Sequence, residues 1–207
     1  MTESTVAKYI ARGGRTPSPT WRSLLKRHTG EIAAIDFFTV QTVTFQVMFR
    51  FLVLFHDRRC VAYFNVTANP TVLWIAQQIV EVFPSDQSPR FSIRDRDGNY
   101  GDVFRWRVRR VGIEEVVTAP HAPWQNPFIE RWIGSIRREC LDHTLILSEK
   151  DLRRVVASYV RYYLHCRPHL SLDRNAPFPR KVEPLGKGRI IRIPEVGGLH
   201  YHYLRAA

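Results

Sequence analysis

A mixed α/β fold built on one five-stranded sheet is what this sequence predicts, and three observations carry the prediction. Stretches rich in Val, Ile, Phe and Thr recur at 32–39, 44–56, 60–67, 90–94 and 113–118. Segments with helical character fall among and after them, at 71–82, 103–111, 127 to about 141 and 148 to about 165. The first three stretches follow one another closely, whereas the last two alternate with helices. That order reads as an antiparallel meander continued by parallel crossovers. With 207 residues, 44% of them hydrophobic, the chain can bury one sizeable core and carry short appendages.

Residues 1–30 read as a basic arm and linker, with a short helix over Thr5–Arg12 and a breaker run, Gly13-Gly14-Arg15-Thr16-Pro17-Ser18-Pro19. The core domain is assigned to 31–180. Its first three strands are closed by the turn Asp57-Arg58-Arg59, and Asn69-Pro70 leads into a helix whose Val72, Ile75, Ile79 and Val82 share one face. Asn126-Pro127 supplies an N-cap and a first-turn proline for the next long helix, and Ser148-x-x-Asp151 resembles a capping box for the last. A tail over 181–207, rich in Pro and Gly at its start, holds one candidate strand at 189–193.

The net charge of +12, from 31 basic and 19 acidic residues, points to a phosphate-rich partner. Three widely spaced cysteines with no Cys-x-x-Cys argue against a disulfide framework or zinc ribbon and suit a reducing cytosol. Cys140-x-x-His143 and Cys166-x-x-His169 have ligand-like spacing. They fall on different helix ends, however, and Cys140 reads as core. The longest apolar stretch, Phe45 to Phe55, contains Gln46 and Arg50 and is too short and polar for a membrane span, so a soluble protein is expected.

Against this basic background three acids stand out. Asp36 interrupts the apolar run Ile35-Asp36-Phe37-Phe38, Asp95 closes the strand Phe91-Ser92-Ile93-Arg94, and Glu130 lies in the first turn of the helix after Pro127. Each has an ordinary explanation: a strand-end ion pair, a turn cap, a favourable helix-dipole position. Together, at the ends of core elements in a polycationic chain, they suggest divalent metal ions acting on a polyanion. Asp97, in Asp97-Gly98, competes with Asp95 for the second position and is equally readable as a turn residue.

These segments carry a family resemblance. Ile35–Thr39, Arg94–Gly101, Pro123–Arg131, Ile136–His143 and Tyr162-Tyr163-x-x-x-Arg167-Pro168-His169-x-x-Leu172 resemble the integrase catalytic core of bacterial insertion-sequence transposases and retroviral integrases, over roughly residues 31–180. The resemblance implies a ribonuclease H-like fold, with Asp36, Asp95 and Glu130 as catalytic metal ligands for Mg²⁺ or Mn²⁺ and two ions per site. It implies cleavage of DNA 3′ ends and strand transfer of an insertion sequence, double-stranded DNA as substrate, and at least a dimer on it. A cytoplasmic, nucleoid-associated bacterial protein follows from the same resemblance. The departure is Asp95-Arg96-Asp97-Gly98 where the family has Asp-Asn-Gly; the 34 residues between Asp95 and Glu130 and the position of Tyr100 favour Asp95.

Four further residues are candidate DNA contacts. Arg137 is two helical turns beyond Glu130 on the same face, and Arg131 flanks that face, as does Arg138, which reads as an ordinary solvated residue. Trp124 and Gln125 precede the helix, where they could stack on or hydrogen-bond an unpaired base. His121 reads as an exposed loop residue and Arg167-Pro168-His169 as a helix stop. Two other functions stay open at this point. One is a truncated, inactive DNA-binding remnant, since Thr5–Ile10 looks like only the last helix of an N-terminal helix-turn-helix region. The other is a ribonuclease H-like nuclease that cuts without joining.

Overall fold

The computed structural model describes residues 19–206 except 84–87, 185 and 187. Helix α1 spans Pro19–Arg27, followed by β1 (Ile32–Gln41), β2 (Val47–Phe55) and β3 (Cys60–Thr67). Next come α2 (Val72–Val82), β4 (Phe91–Arg94), α3 (Asp102–Arg110), β5 (Glu114–Val117), α4 (Pro127–Glu139) and α5 (Glu149–His165). The chain ends in β6 (Ile190–Glu195) and β7 (His200–Arg205).

The five-stranded sheet has the order β3-β2-β1-β4-β5. The pairs β1–β2 and β2–β3 are antiparallel, while β1–β4 and β4–β5 are parallel. The crossovers through α2 and α3 make this possible, because parallel neighbours cannot be joined by a tight turn. Thr71 caps α2 by accepting from Trp74 N at 3.1 Å. Gly112, at φ 78°, turns the chain sharply from α3 into β5 and donates to Arg109 O at 3.0 Å.

Alternation along β1 divides the core. Ala34 and Phe38 face α4 and α5, packing with Leu52, Ile129, Trp132, Ile136 and Tyr159. Ala33 and Ile35 face α2 and α3, packing with Ile75, Ile79, Phe104 and Val108. Ser148 Oγ accepts from Asp151 N at 3.2 Å, so Ser148 caps α5, and its hydroxyl also donates to the Asp151 carboxylate at 3.1 Å.

Two segments depart from expectation. Part of the stretch read as linker and arm is α1, whose Trp21 and Leu25 pack on Ile32, Phe91 and Ile93. The helix predicted at 5–12 and most of the breaker run lie outside the described residues. The tail holds a two-stranded antiparallel hairpin, β6–β7, where one strand was expected.

Candidate metal centre

Asp36 stands in the middle of β1, paired with Leu52 of β2, on the same sheet face as Ala34 and Phe38. On the other edge β1 runs parallel to β4 in the register Ile32↔Phe91, Ala33↔Ser92, Ala34↔Ile93. Carried on by two residues, that register sets Asp95 level with Asp36, and alternation turns both to one face. Packing of Ile129, Trp132, Ile133 and Ile136 into the core lays α4 over this face and brings Glu130 to it. Asp36, Asp95, Asp97 and Glu130 all line one cavity of about 470 Å³.

The electrostatics follow from crowding. Burial, then the charge of Glu130, then that of Asp95 push the Asp36 carboxyl up to about 8, against the backbone N–H of Phe37, which donates to it at 2.7 Å. Burial raises Glu130 and Asp95 as well, and the charge of Asp95 adds to the rise at Glu130. Asp97 acts on Asp36 more weakly than Asp95, and its carboxylate caps the next turn by accepting from Asn99 N at 2.9 Å. Among the described residues, the one set of three Cys, His or carboxylate ligand atoms all within 4.8 Å of one another is Cys166, Glu195 and His202. The acids of the cavity thus share it without closing on one another, as like charges do.

The donor set fits a hard divalent cation. Three or four carboxylates line the cavity, and Asn126, 5% exposed in its wall, has an Oδ1 with no hydrogen-bond partner. Oxygen-only donors suit Mg²⁺ or Mn²⁺ rather than zinc.

The raised pKa has a thermodynamic sign. Asp36 ordinarily titrates near 3.8, so the metal-free folded chain binds a proton that the unfolded chain has lost. Stability from this group therefore falls as pH rises toward about 8. His56 and His169, lowered to about 4, act in the opposite sense only below the ordinary imidazole value of 6.5. Thermal unfolding in chelator should accordingly show Tm decreasing from about pH 7 to 8.5, by about 2–4 °C for each kcal/mol lost. Mg²⁺ should restore it at the alkaline end. A Tm that is flat or rising over this window rejects the assignment.

Residues 111–177 match the integrase core domain model. The match includes Glu130 but neither Asp36 nor Asp95, whose convergence rests on the register and the shared cavity. An uncharacterized 39.2 kDa protein of insertion element IS476 from Xanthomonas euvesicatoria is 34% identical over 45% of this chain and 25% of its own length. The chain thus spans about a quarter of that relative. The catalytic domain of Mos1 transposase, solved with raltegravir and Mg, aligns with a TM-score of 0.57 at 14% identity, over 69% of this chain and 79% of that one. A chain of the simian T-cell lymphotropic virus intasome aligns with a TM-score of 0.58 at 11% identity, over 86% and 67%. The fold is the ribonuclease H-like fold of these catalytic cores.

The four residues predicted to contact DNA lie around the acidic cavity, not in it. Gln125 Oε1 accepts from Ala119 N at 2.6 Å, pinning the loop before α4, and Trp124 beside it is half-buried. Arg137 donates to Thr39 O at 3.1 Å and lies 5.7 Å from the Phe38 ring centre; it marks the β1 side of α4. Arg131 lines a separate cavity. Asn126 occupies the N-cap position but makes no side-chain cap bond, which corrects the capping role expected for it. It lines the acidic cavity instead, and reading it as a cap obscured that. Arg96 and His121 also line the cavity, Arg96 donating to Thr118 O at 3.0 Å. The four cysteine and histidine residues at zinc-like spacing do not converge: Cys140 is buried in the core, and Cys166 lies beside Glu195.

Proposed function

We propose that this chain is the catalytic core of an insertion-sequence transposase that cleaves DNA 3′ ends and joins them to target DNA. The observation that carries this reading is the level placement of Asp36 and Asp95 on parallel neighbours, in one cavity with Glu130. Asp36, Asp95 and Glu130 would hold two divalent ions, with Asn126 Oδ1 as a further donor. When bound, the ions supply positive charge to the attacking and leaving oxygens of an in-line displacement.

The protein's part is to hold and neutralise. Asp36 would give up its proton on binding a cation, and the low exposure that raised its pKa would then strengthen its hold on that charge. Water attacks the phosphorus at the element's end, the P–O3′ bond breaks, and the 3′ oxygen leaves as a hydroxyl. That hydroxyl next attacks a target phosphodiester, forming the new P–O bond and releasing the target's own 3′ oxygen with a proton. Arg137, on the exposed side of α4, positions a backbone phosphate, and Trp124 contacts a base near the cut. We place the core at 31–180. The enzyme works as a dimer or larger assembly in the bacterial cytoplasm, since two element ends are joined together. Among the described residues, no helix is long and apolar enough to cross a membrane.

The test is strand transfer by this chain on DNA carrying the element's own termini, with Mg²⁺ and with chelator. Joined product in Mg²⁺ alone is the expected result. Cleaved ends without joined product favour a nuclease, and no product in either case rejects the proposal.

A further inference from the structure

On a neighbouring face of α4 lies a second cavity, of about 300 Å³, walled by Arg59, Phe128, Arg131, Trp132, Arg167 and His169. The turn between β2 and β3 builds one wall at a conformational cost. Arg58 and Arg59 both adopt left-handed backbone, at φ 47° and 58°, a region unfavourable for long side chains. Arg58 holds the turn from across the fold, donating to Pro177 O at 2.6 Å and Ala176 O at 3.0 Å. The result is that Arg59 reaches over the Phe128 ring at 4.9 Å, into the cavity.

The charges there do not balance. Arg167 is matched by Glu139 through two bonds, at 2.8 and 2.5 Å. No ion pair is formed by Arg59 or Arg131 among the described residues. The two cations are near enough to interact: the Arg59 guanidinium is shifted down by burial and then by Arg131. Trp132 Nε1, on a side chain 1% exposed in the cavity wall, has no hydrogen-bond partner. Two unmatched guanidinium forks and an unused N–H donor face the need for an anion.

We propose that this cavity binds a phosphate of the DNA backbone, held by Arg59 and Arg131, as a second anchor for the strand engaged at the acids. Arg131 adjoins Glu130 in α4, about 100° around the helix from it, so the two sites grip DNA from neighbouring faces of one element. This rests on the DNA-joining function proposed above.

The experiment uses the Asp36→Asn chain, so that bound DNA is not cut, and measures affinity for element-end DNA between about 50 and 200 mM salt. Arg59→Gln and Arg131→Gln should each weaken binding several-fold, and together they should flatten the plot of log affinity against log salt by about 0.9 for each phosphate released. Arg59→Lys, which keeps the charge, should retain most of the slope, and Arg154→Gln on the exposed side of α5 should change little. A parallel arm follows Tm of the wild-type chain and the double variant in millimolar inorganic phosphate, with stabilisation expected only in the wild type. Unchanged DNA slope with phosphate stabilisation makes this a free-phosphate site and overturns the DNA assignment. An unchanged slope without phosphate stabilisation overturns the anion site itself. Failure of the wild-type chain to bind DNA at all rejects the function proposed above, and the phosphate arm then decides the cavity alone.

Discussion

Asp36→Asn should lower Mg²⁺-dependent strand transfer on the order of 10³-fold, because losing a shared metal ligand removes several kcal/mol of charge stabilisation from the reacting phosphate. DNA affinity should hardly change, since the residues we assign to phosphate binding, Arg131 and Arg137 on α4 and Arg59 in the turn before β3, are left intact. The usual ambiguity of such a loss, that the variant has unfolded, is answered by the acid's own titration. In the metal-free fold Asp36 carries a proton at neutral pH, pushed up to about 8 by burial and by Glu130 and Asp95. Asparagine is close in shape to that protonated acid, so the chelated variant should be as stable as the wild type at pH 7 and more stable at pH 8.5. Asp95→Asn and Glu130→Gln should match it in activity, whereas Asp97→Asn should cost far less, because Asp97 caps a turn and lies two residues past the level of Asp36. Wild-type joining by the Asp36→Asn chain in Mg²⁺ would sink the assignment, and an Asp97→Asn defect larger than that of Asp95→Asn would exchange the two aspartates.

Arg50→Met should raise stability by about 1–4 kcal/mol. Arg50 lies in β2 opposite Phe38, is 1% exposed, and none of its three guanidinium nitrogens has a hydrogen-bond partner. Burial, then the neighbouring charge of Arg137, lowers its pKa to about 9. Its compensation is the Phe38 ring, 4.6 Å away, which contributes roughly 2 kcal/mol or somewhat more. Desolvating an unpaired cation costs several kcal/mol, so the balance is unfavourable, and methionine fills similar space without the charge. Denaturant melts with and without Mg²⁺ would measure it. A less stable variant would mean that the guanidinium holds something together that the apolar side chain cannot.

The acids were legible because they break patterns that the core imposes. A carboxylate on a buried strand, as at Asp36, leaves a gap in the alternation that the sequence displays openly. The choice between Asp95 and Asp97 was not settled by pattern, since either can follow a strand and both precede Gly98; the parallel register gives Asp95 its place beside Asp36. Asn126 was misread because residue type and a following proline describe a cap equally well whether or not the amide turns inward. Helix α1 was invisible for a different reason. Nine residues behind Pro17-Ser18-Pro19 have too little intrinsic helicity to announce themselves, and the docking of Trp21 and Leu25 supplies the rest. The β6–β7 hairpin shows mostly exposed and half-exposed positions, with Pro194 inside one strand, so it lacks the buried face that marks a strand in sequence.

The three acids differ in how their backbones are held. Residues on both sides of Asp36 are paired with β2, Ile35 to Val53 and Phe37 to Phe51, so its position belongs to the sheet. Asp95 lies one residue beyond β4, and Glu130 rides on the first turn of a helix. The centre is therefore a vice with one fixed jaw and two movable ones. In the reaction proposed above, any change in the spacing between donors would fall to the loop after β4 and to the end of α4, while Asp36 would stay in register with the sheet.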